Sequence, residues 1–229
     1  MKKFLFYLLI LFCFIAFQGL PVNAKNYQES LLADFNYRLS LPQTDVAQSQ
    51  WYNNSSLDNW GPWPKRYPSL DNSILSKIPA GTNVTQWKRD RVVAVAKYYV
   101  GLPYMHHHIP AWNPKIPDKS GKIGYGLDCS NFSAWVYNIG FGIMLNSNVR
   151  KQAQMLPATN FNTAQPGMKK IERGQKLYPG DLLFIGSGPS HVAIYINENE
   201  VIDSIGTGVK IRPFSGSYKN YVFAVRIFN

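Results

Sequence analysis

The last third of the chain constrains the fold most. Asp181 to Ile185, His191 to Ile196, Glu200 to Ile205, Val209 to Pro213 and Tyr221 to Ile227 are short runs rich in Val, Ile, Phe and Tyr. Gly, Pro, Ser or Asn separates each run from the next, which is the pattern of strands joined by tight turns. Ahead of them the periodicity is helical. One helix is predicted over 86–100, capped by Thr85 and stopped by Gly101. A second begins at Cys129. Asp128 is a good N-cap, Phe132, Trp135, Val136 and Ile139 follow at helical spacing, and Gly140 is a natural stop. Residues 147–175 are polar with weak helical signals. Helices followed by a run of strands specify an α+β domain with an antiparallel sheet.

The N-terminal part reads differently. Lys2 and Lys3, the apolar stretch from Phe4 to Phe17, and Val22-Asn23-Ala24 ahead of Lys25 have the layout of a secretory signal. Residues 1–24 are therefore expected to be a removable leader, with a secreted or periplasmic product. The apolar run is short for a spanning helix, and no later segment is apolar enough to cross a bilayer. Residues 25–84 form an aromatic-rich extension, with Trp51, Trp60 and Trp63 among Pro, Asn and Ser. Free disorder is poor in aromatics. The tryptophans are expected either to pack on the main domain of residues 85–229 or to present a sugar-binding face.

The chain has 24 basic against 13 acidic residues, a formal net charge of +11. Loss of Lys2 and Lys3 with the leader leaves it strongly basic. Such a balance suits an anionic envelope. The cations are scattered and no nucleic-acid motif is visible, so nucleic acid is not an expected partner. A monomer is expected.

Of two cysteines, Cys13 lies in the apolar leader, which leaves Cys129 as the one thiol of the mature chain. A single thiol in a secreted protein is a core residue, an intermolecular bridge or a nucleophile. Its place in the first turn of an amphipathic helix favours the nucleophile, because unpaired N–H groups and the positive dipole end favour thiolate. A thiol nucleophile needs a base. On the strand beginning at His191, that residue shares a face with Ala193 and Tyr195, while Val192, Ile194 and Ile196 face the other way. The next run puts Asp203 among apolar residues. Pairing about residue 197 would set Asp203 opposite His191 on the same face, where a carboxylate can orient an imidazole.

Three stretches resemble the NlpC family of papain-like cysteine peptidases that cut bacterial peptidoglycan. They are Ala96 to Tyr104 with its Gly-Leu-Pro-Tyr turn, Asp128-Cys129-Ser130 with Phe132 and Trp135-Val136-Tyr137, and Pro179-Gly180-Asp181 running on through His191 to Asp203. Their order and spacing match over about residues 88–227. The resemblance implies a papain-like core, with the cysteine at a helix N-terminus packed on an antiparallel sheet that carries the His and Asp. It implies Cys129 as nucleophile, His191 as base, Asp203 as the orienting residue and Tyr104 beside the thiol, helping with the oxyanion. It implies that Asp128 and Ser130 read the amino end of a stem peptide. The bond attacked would be that between D-glutamate and the following diamino acid, without a cofactor. An amidase, an acyltransferase or a secreted toxin could use the same triad, and a wall-binding protein could keep the fold with a decayed site.

The chain departs from the family pattern in three places, one of them Asp203, where the third residue is often His and a carboxylate is chemically acceptable. Asn131 stands where glycine usually follows Asp-Cys-Ser. After Pro103-Tyr104 comes Met105-His106-His107-His108 and a long insert within a Pro- and Gly-rich loop, and loops of that length usually carry function. His106 and His108 would point the same way in an extended segment, yet no nearby Cys or acidic pair completes a zinc site. They are assigned to lining the substrate cleft, and no metal is expected.

Overall fold

The computed structural model describes residues 22–47, 64–105, 126–156 and 167–229. Helices α1 (Val22–Leu31) and α2 (Phe35–Ser40) open the described chain, and α3 (Asn72–Leu75) is a single turn capped by Asp71. Helix α4 (Val84–Tyr98) starts two residues before the predicted point, because Asn83 supplies the capping oxygen, to Gln86 N. Helix α5 (Cys129–Phe141) begins where predicted but runs through Gly140. Its stop is Gly142, in the left-handed region at φ 68°, where a Cβ would also collide with the Tyr67 carbonyl oxygen.

The polar stretch 147–175 yields a short helix, α6 (Val149–Ala153), and a strand, β1 (Lys169–Glu172). That strand holds one apolar residue, Ile171, too few for a period to show. The remaining strands fall within two residues of expectation: β2 (Leu182–Ile185), β3 (His191–Asn197), β4 (Glu200–Ile205), β5 (Gly208–Pro213) and β6 (Phe223–Arg226). A one-turn helix, α7 (Gly216–Lys219), joins the last two. All pairings are antiparallel, in the order β1-β6-β2-β3-β4-β5. The architecture is α+β.

Alternation along the strands divides the apolar residues between two cores. Leu182, Phe184, Val192, Ile194, Ile202, Val209 and Val225 pack with α4 and α5 in the larger one. Leu183, Ala193, Tyr195, Val201 and Ala224 form the smaller one with Leu177, Phe214 and Tyr218.

Residues before position 85 join these cores. Phe35 and Tyr67 enter the larger cluster, and Leu31 and Ile74 pack on Trp87. A buried ionic knot ties them down. Arg91 is 0% exposed and donates to Asp34 Oδ1 (2.7 Å), Leu31 O (2.6 Å) and Gly140 O (3.2 Å). Arg38 donates to the other Asp34 oxygen and to Ile139 O and Pro68 O. Arg66 Nε reaches Gly142 O at 2.7 Å. Three guanidinium groups thus hold the C-terminal carbonyls of the cysteine helix, where cations complement the helix dipole. Most of the predicted leader, and Trp51, Trp60 and Trp63, lie outside the described residues. Helix α1 runs across the predicted cleavage point at Ala24. No helix among the described residues is long and apolar enough to cross a membrane.

Candidate active site

The thiol is placed by its cap. Asp128 Oδ1 accepts from Asn131 N (2.8 Å) and from the Asn131 side chain (3.0 Å), which also reaches Oδ2 at 3.0 Å. Asn131, a departure from the family pattern, therefore grips the capping carboxylate with both backbone and side chain. The helical ladder opens with Phe132 N on Asp128 O (2.8 Å). The N–H groups of Cys129 and Ser130 come before that ladder and point out of the helix end. Cys129 is half-buried.

The predicted substrate-reading pair is built into the protein. Asp128 is 3% exposed and Ser130 is 4% exposed. Ser130 Oγ donates to Ser147 O at 2.6 Å and lies 3.2 Å from Asp128 Oδ1. Both residues brace the first turn of α5.

Tyr104 is held near the thiol by backbone pairing. Gly101 N donates to Val209 O (2.9 Å), Val209 N to Leu102 O (2.8 Å) and Leu127 N to Pro103 O (3.2 Å). Gly208, with φ 89°, admits this close approach, since a Cβ there would strike Leu102 O. Ser204 Oγ ties Leu127 O to β4 at 2.5 Å. Tyr104 is 39% exposed. Partial burial and then the charges of Asp128 and Cys129 push its phenol upward, so its hydroxyl keeps its proton and can donate.

His191 opens β3 and Asp203 lies within β4. Their side chains meet, with Nε2 and Oδ2 2.6 Å apart. The predicted register does not hold. Ile194 pairs with Ile202 and Tyr195 with Val201, so the ladder carries Asp203 across from Ala193 rather than His191. A shift of two residues keeps the face, and the contact forms on the diagonal. The Cys129 thiol lies close enough to the imidazole to act on its protonation. With Nε2 on Asp203, Nδ1 is the nitrogen left for the thiol. Burial pulls the His191 pKa down, but the bond to Asp203, the nearby thiol and the charges of both outweigh it and raise it to about 9.

Two further groups meet Asp203. Arg212 Nε donates to Oδ1 at 2.6 Å, and Tyr218 Oη donates to Oδ2 at 2.6 Å. Asp203 is 0% exposed. Burial favours its neutral form, but the bonds from His191, Tyr218 and Arg212 prevail and hold the carboxyl below its usual range. Sequence reasoning missed both groups. Arg212 had a signal: a hairpin about Gly206 and Thr207 puts it diagonal to Asp203 on the same face. Tyr218 had none, because it arrives on a one-turn helix from a loop. His106 and His108 lie outside the described residues. No cluster of metal-ligating side chains occurs among the described residues.

A half-buried thiol at a helix start, facing an imidazole and a carboxylate on an antiparallel sheet, is the layout of the papain-like fold class. Within that class the NlpC/P60 family model matches residues 115–226. The chain carries an NlpC/P60 family domain over those residues. Peptidoglycan hydrolase RipB from Mycobacterium tuberculosis superposes with a TM-score of 0.50 at 18% identity, covering 94% of this chain and 89% of RipB. RipD from the same organism, a non-catalytic NlpC/p60 domain protein adapted to peptidoglycan binding, has a TM-score of 0.47 at 21% identity, covering 61% of this chain and 97% of RipD. An NlpC/P60 family protein from Bacillus cereus has a TM-score of 0.42 at 25% identity, covering 62% of this chain, which in turn spans 40% of that protein.

Proposed function

We propose that this chain is a cell-envelope cysteine peptidase that hydrolyses an amide bond in peptidoglycan stem peptides, the one between D-glutamate and the following diamino acid. The observation that carries this reading is the His191–Asp203 pair, 2.6 Å between Nε2 and Oδ2, with the Cys129 thiol acting on the same imidazole. A decayed site has no reason to keep a buried carboxylate aimed at a histidine that faces a thiol, because burying the charge is costly unless it is paired.

Cys129 Sγ passes its proton to His191 and attacks the carbonyl carbon. The oxygen that becomes negative lies at the helix start, where the N–H of Cys129 and the Tyr104 hydroxyl can donate to it. The C–N bond then breaks, and the His191 imidazolium gives its proton to the leaving nitrogen. A thioester remains on Cys129. His191, now neutral, takes a proton from water as that water attacks the thioester. The acid product leaves and the thiol is restored. Asp203 keeps its charge throughout and steadies the imidazolium. Asp128 and Ser130 give the amino-end subsite a rigid floor, and the basic surface favours an acidic wall polymer.

Incubation with purified muropeptides, followed by mass analysis, tests the proposal. The expected products are two fragments separated between D-glutamate and the diamino acid, with water added. Labelling of Cys129 by a thiol-directed probe with every muropeptide left intact would leave the triad chemistry standing but remove this substrate. Absence of both would favour a binding protein.

A further inference from the structure

We propose that Arg212 is a positioning residue of this site: it holds Asp203 ionised and aimed at His191 whether or not the imidazole carries a proton. The inference rests on the proposed Cys129–His191–Asp203 chemistry and extends it by one residue.

The argument begins with charge. In the cycle above His191 alternates between imidazolium and imidazole. A fully buried carboxylate whose only cation is that imidazolium would be left alone each time the proton departs, and an isolated buried charge resists forming. The proton would then be held too tightly to be delivered. A permanent cation removes that dependence. Arg212 supplies one, since a guanidinium does not titrate in this range.

Geometry supports the assignment. Asp203 on β4 is approached from both neighbouring strands. His191 comes diagonally from β3 onto Oδ2, and Arg212 comes from β5 onto Oδ1, both at 2.6 Å. The register sets Lys210, not Arg212, directly across from Asp203. Lys210 is nonetheless exposed and makes no ion pair with Asp203, so the diagonal guanidinium is the group engaged. Arg212 is itself steadied at the hairpin turn, with Nη2 3.4 Å from both Thr207 Oγ1 and Gly208 O. Tyr218 fills the remaining place on Oδ2, so neither carboxylate oxygen can swing free. The titratable or charged groups around the pair are Cys129 from α5, Arg212 and Lys210 from β5, and Tyr218 from α7, with Tyr104 beside Cys129. Arg212 is the permanent charge among those in contact with Asp203.

The test needs no substrate for its main arm. The imidazole of His191 is titrated by NMR in the full chain, in the wild type, Arg212→Gln, Arg212→Lys and Asp203→Asn. With Arg212→Gln, Asp203 faces the imidazolium alone, so the His191 midpoint should rise above that of the wild type. Asp203→Asn should move it the other way, toward 6.5, and Arg212→Lys should return it close to the wild type. In the turnover arm, loss of a bond to a charged group predicts kcat lower by roughly 10–100-fold in Arg212→Gln with KM little changed. An unchanged or lowered His191 midpoint in folded Arg212→Gln overturns the proposal. If that variant does not fold, Arg212→Lys decides: a midpoint displaced as far as that of Asp203→Asn overturns it, and one near the wild type supports it. Failure of the wild type to cut muropeptides would refute the substrate reading and leave the NMR arm to judge Arg212.

Discussion

Asp203 sits across the β3–β4 ladder from Ala193, yet its carboxylate closes on His191, two residues away along the strand, at 2.6 Å. The diagonal leaves the other oxygen turned toward β5, where Arg212 takes it. The carboxylate is therefore clamped from two strands. The imidazole presents Nε2 to the acid, which leaves Nδ1 for the thiol. Consequences for Cys129, for His191 and for the buried knot behind the helix can each be measured.

Cys129→Ala should abolish both turnover and labelling by a thiol-directed probe. The circular dichroism spectrum and melting temperature should change little, because the side chain is half-buried and the cap is made by Asp128. Residual peptidase activity in this variant would refute the mechanism.

His191→Ala should lose about 10²–10⁴-fold in kcat/KM, the usual contribution of a positioned acid–base group. Asp203→Asn should lose less, because the imidazole remains while its orientation and charged form are weakened. Steady-state kinetics on one muropeptide gives both ratios. Wild-type rates in Asp203→Ala would move the third role to another residue.

Activity should fall on the alkaline side as pH rises through about 9, the value to which His191 is raised. The sign follows from the direction of the shift. A histidine whose folded pKa lies above its unfolded value holds its proton more tightly in the native state. Its contribution to stability is complete below about 6.5 and disappears as pH climbs toward 9. The acid that protonates the leaving nitrogen disappears over the same range. A kcat/KM profile and a melting-temperature series over pH 6–10 check both, and the melting series for His191→Ala should lack this component.

Asp34→Ala should destabilise the fold by about 3–5 kcal/mol, since it strands two buried guanidinium groups, of Arg38 and Arg91. Denaturant unfolding of the full chain measures the loss. For the same reason the fragment 85–229 should not fold alone, because it keeps Arg91 and gives up Asp34, Leu31 O, Phe35 and Tyr67. A soluble fragment with a sharp unfolding transition would show that the knot is dispensable.

The sequence by itself determined the parts that depend on local pattern. Strand alternation marked the β segments, the cap-and-period signature placed Cys129 at a helix start, and the twelve-residue spacing of His191 and Asp203 put both on one face of a hairpin. These follow from dihedral preferences and periods of 2 and 3.6, which act within a few residues. The helix stop moved from Gly140 to Gly142 because the deciding contact is with Tyr67, far away in sequence. Strand β1 was invisible because its partner β6 supplies the reason for it to be extended. The register beyond Asn197 departed from the symmetric hairpin through an irregularity between Tyr195 and Asn197. Arg212 and Tyr218 reached Asp203 only once β5 and α7 had folded against β4. Tertiary structure decided these points because burial sets the worth of a charge or a carbonyl, and burial depends on residues that meet only when the whole chain has packed.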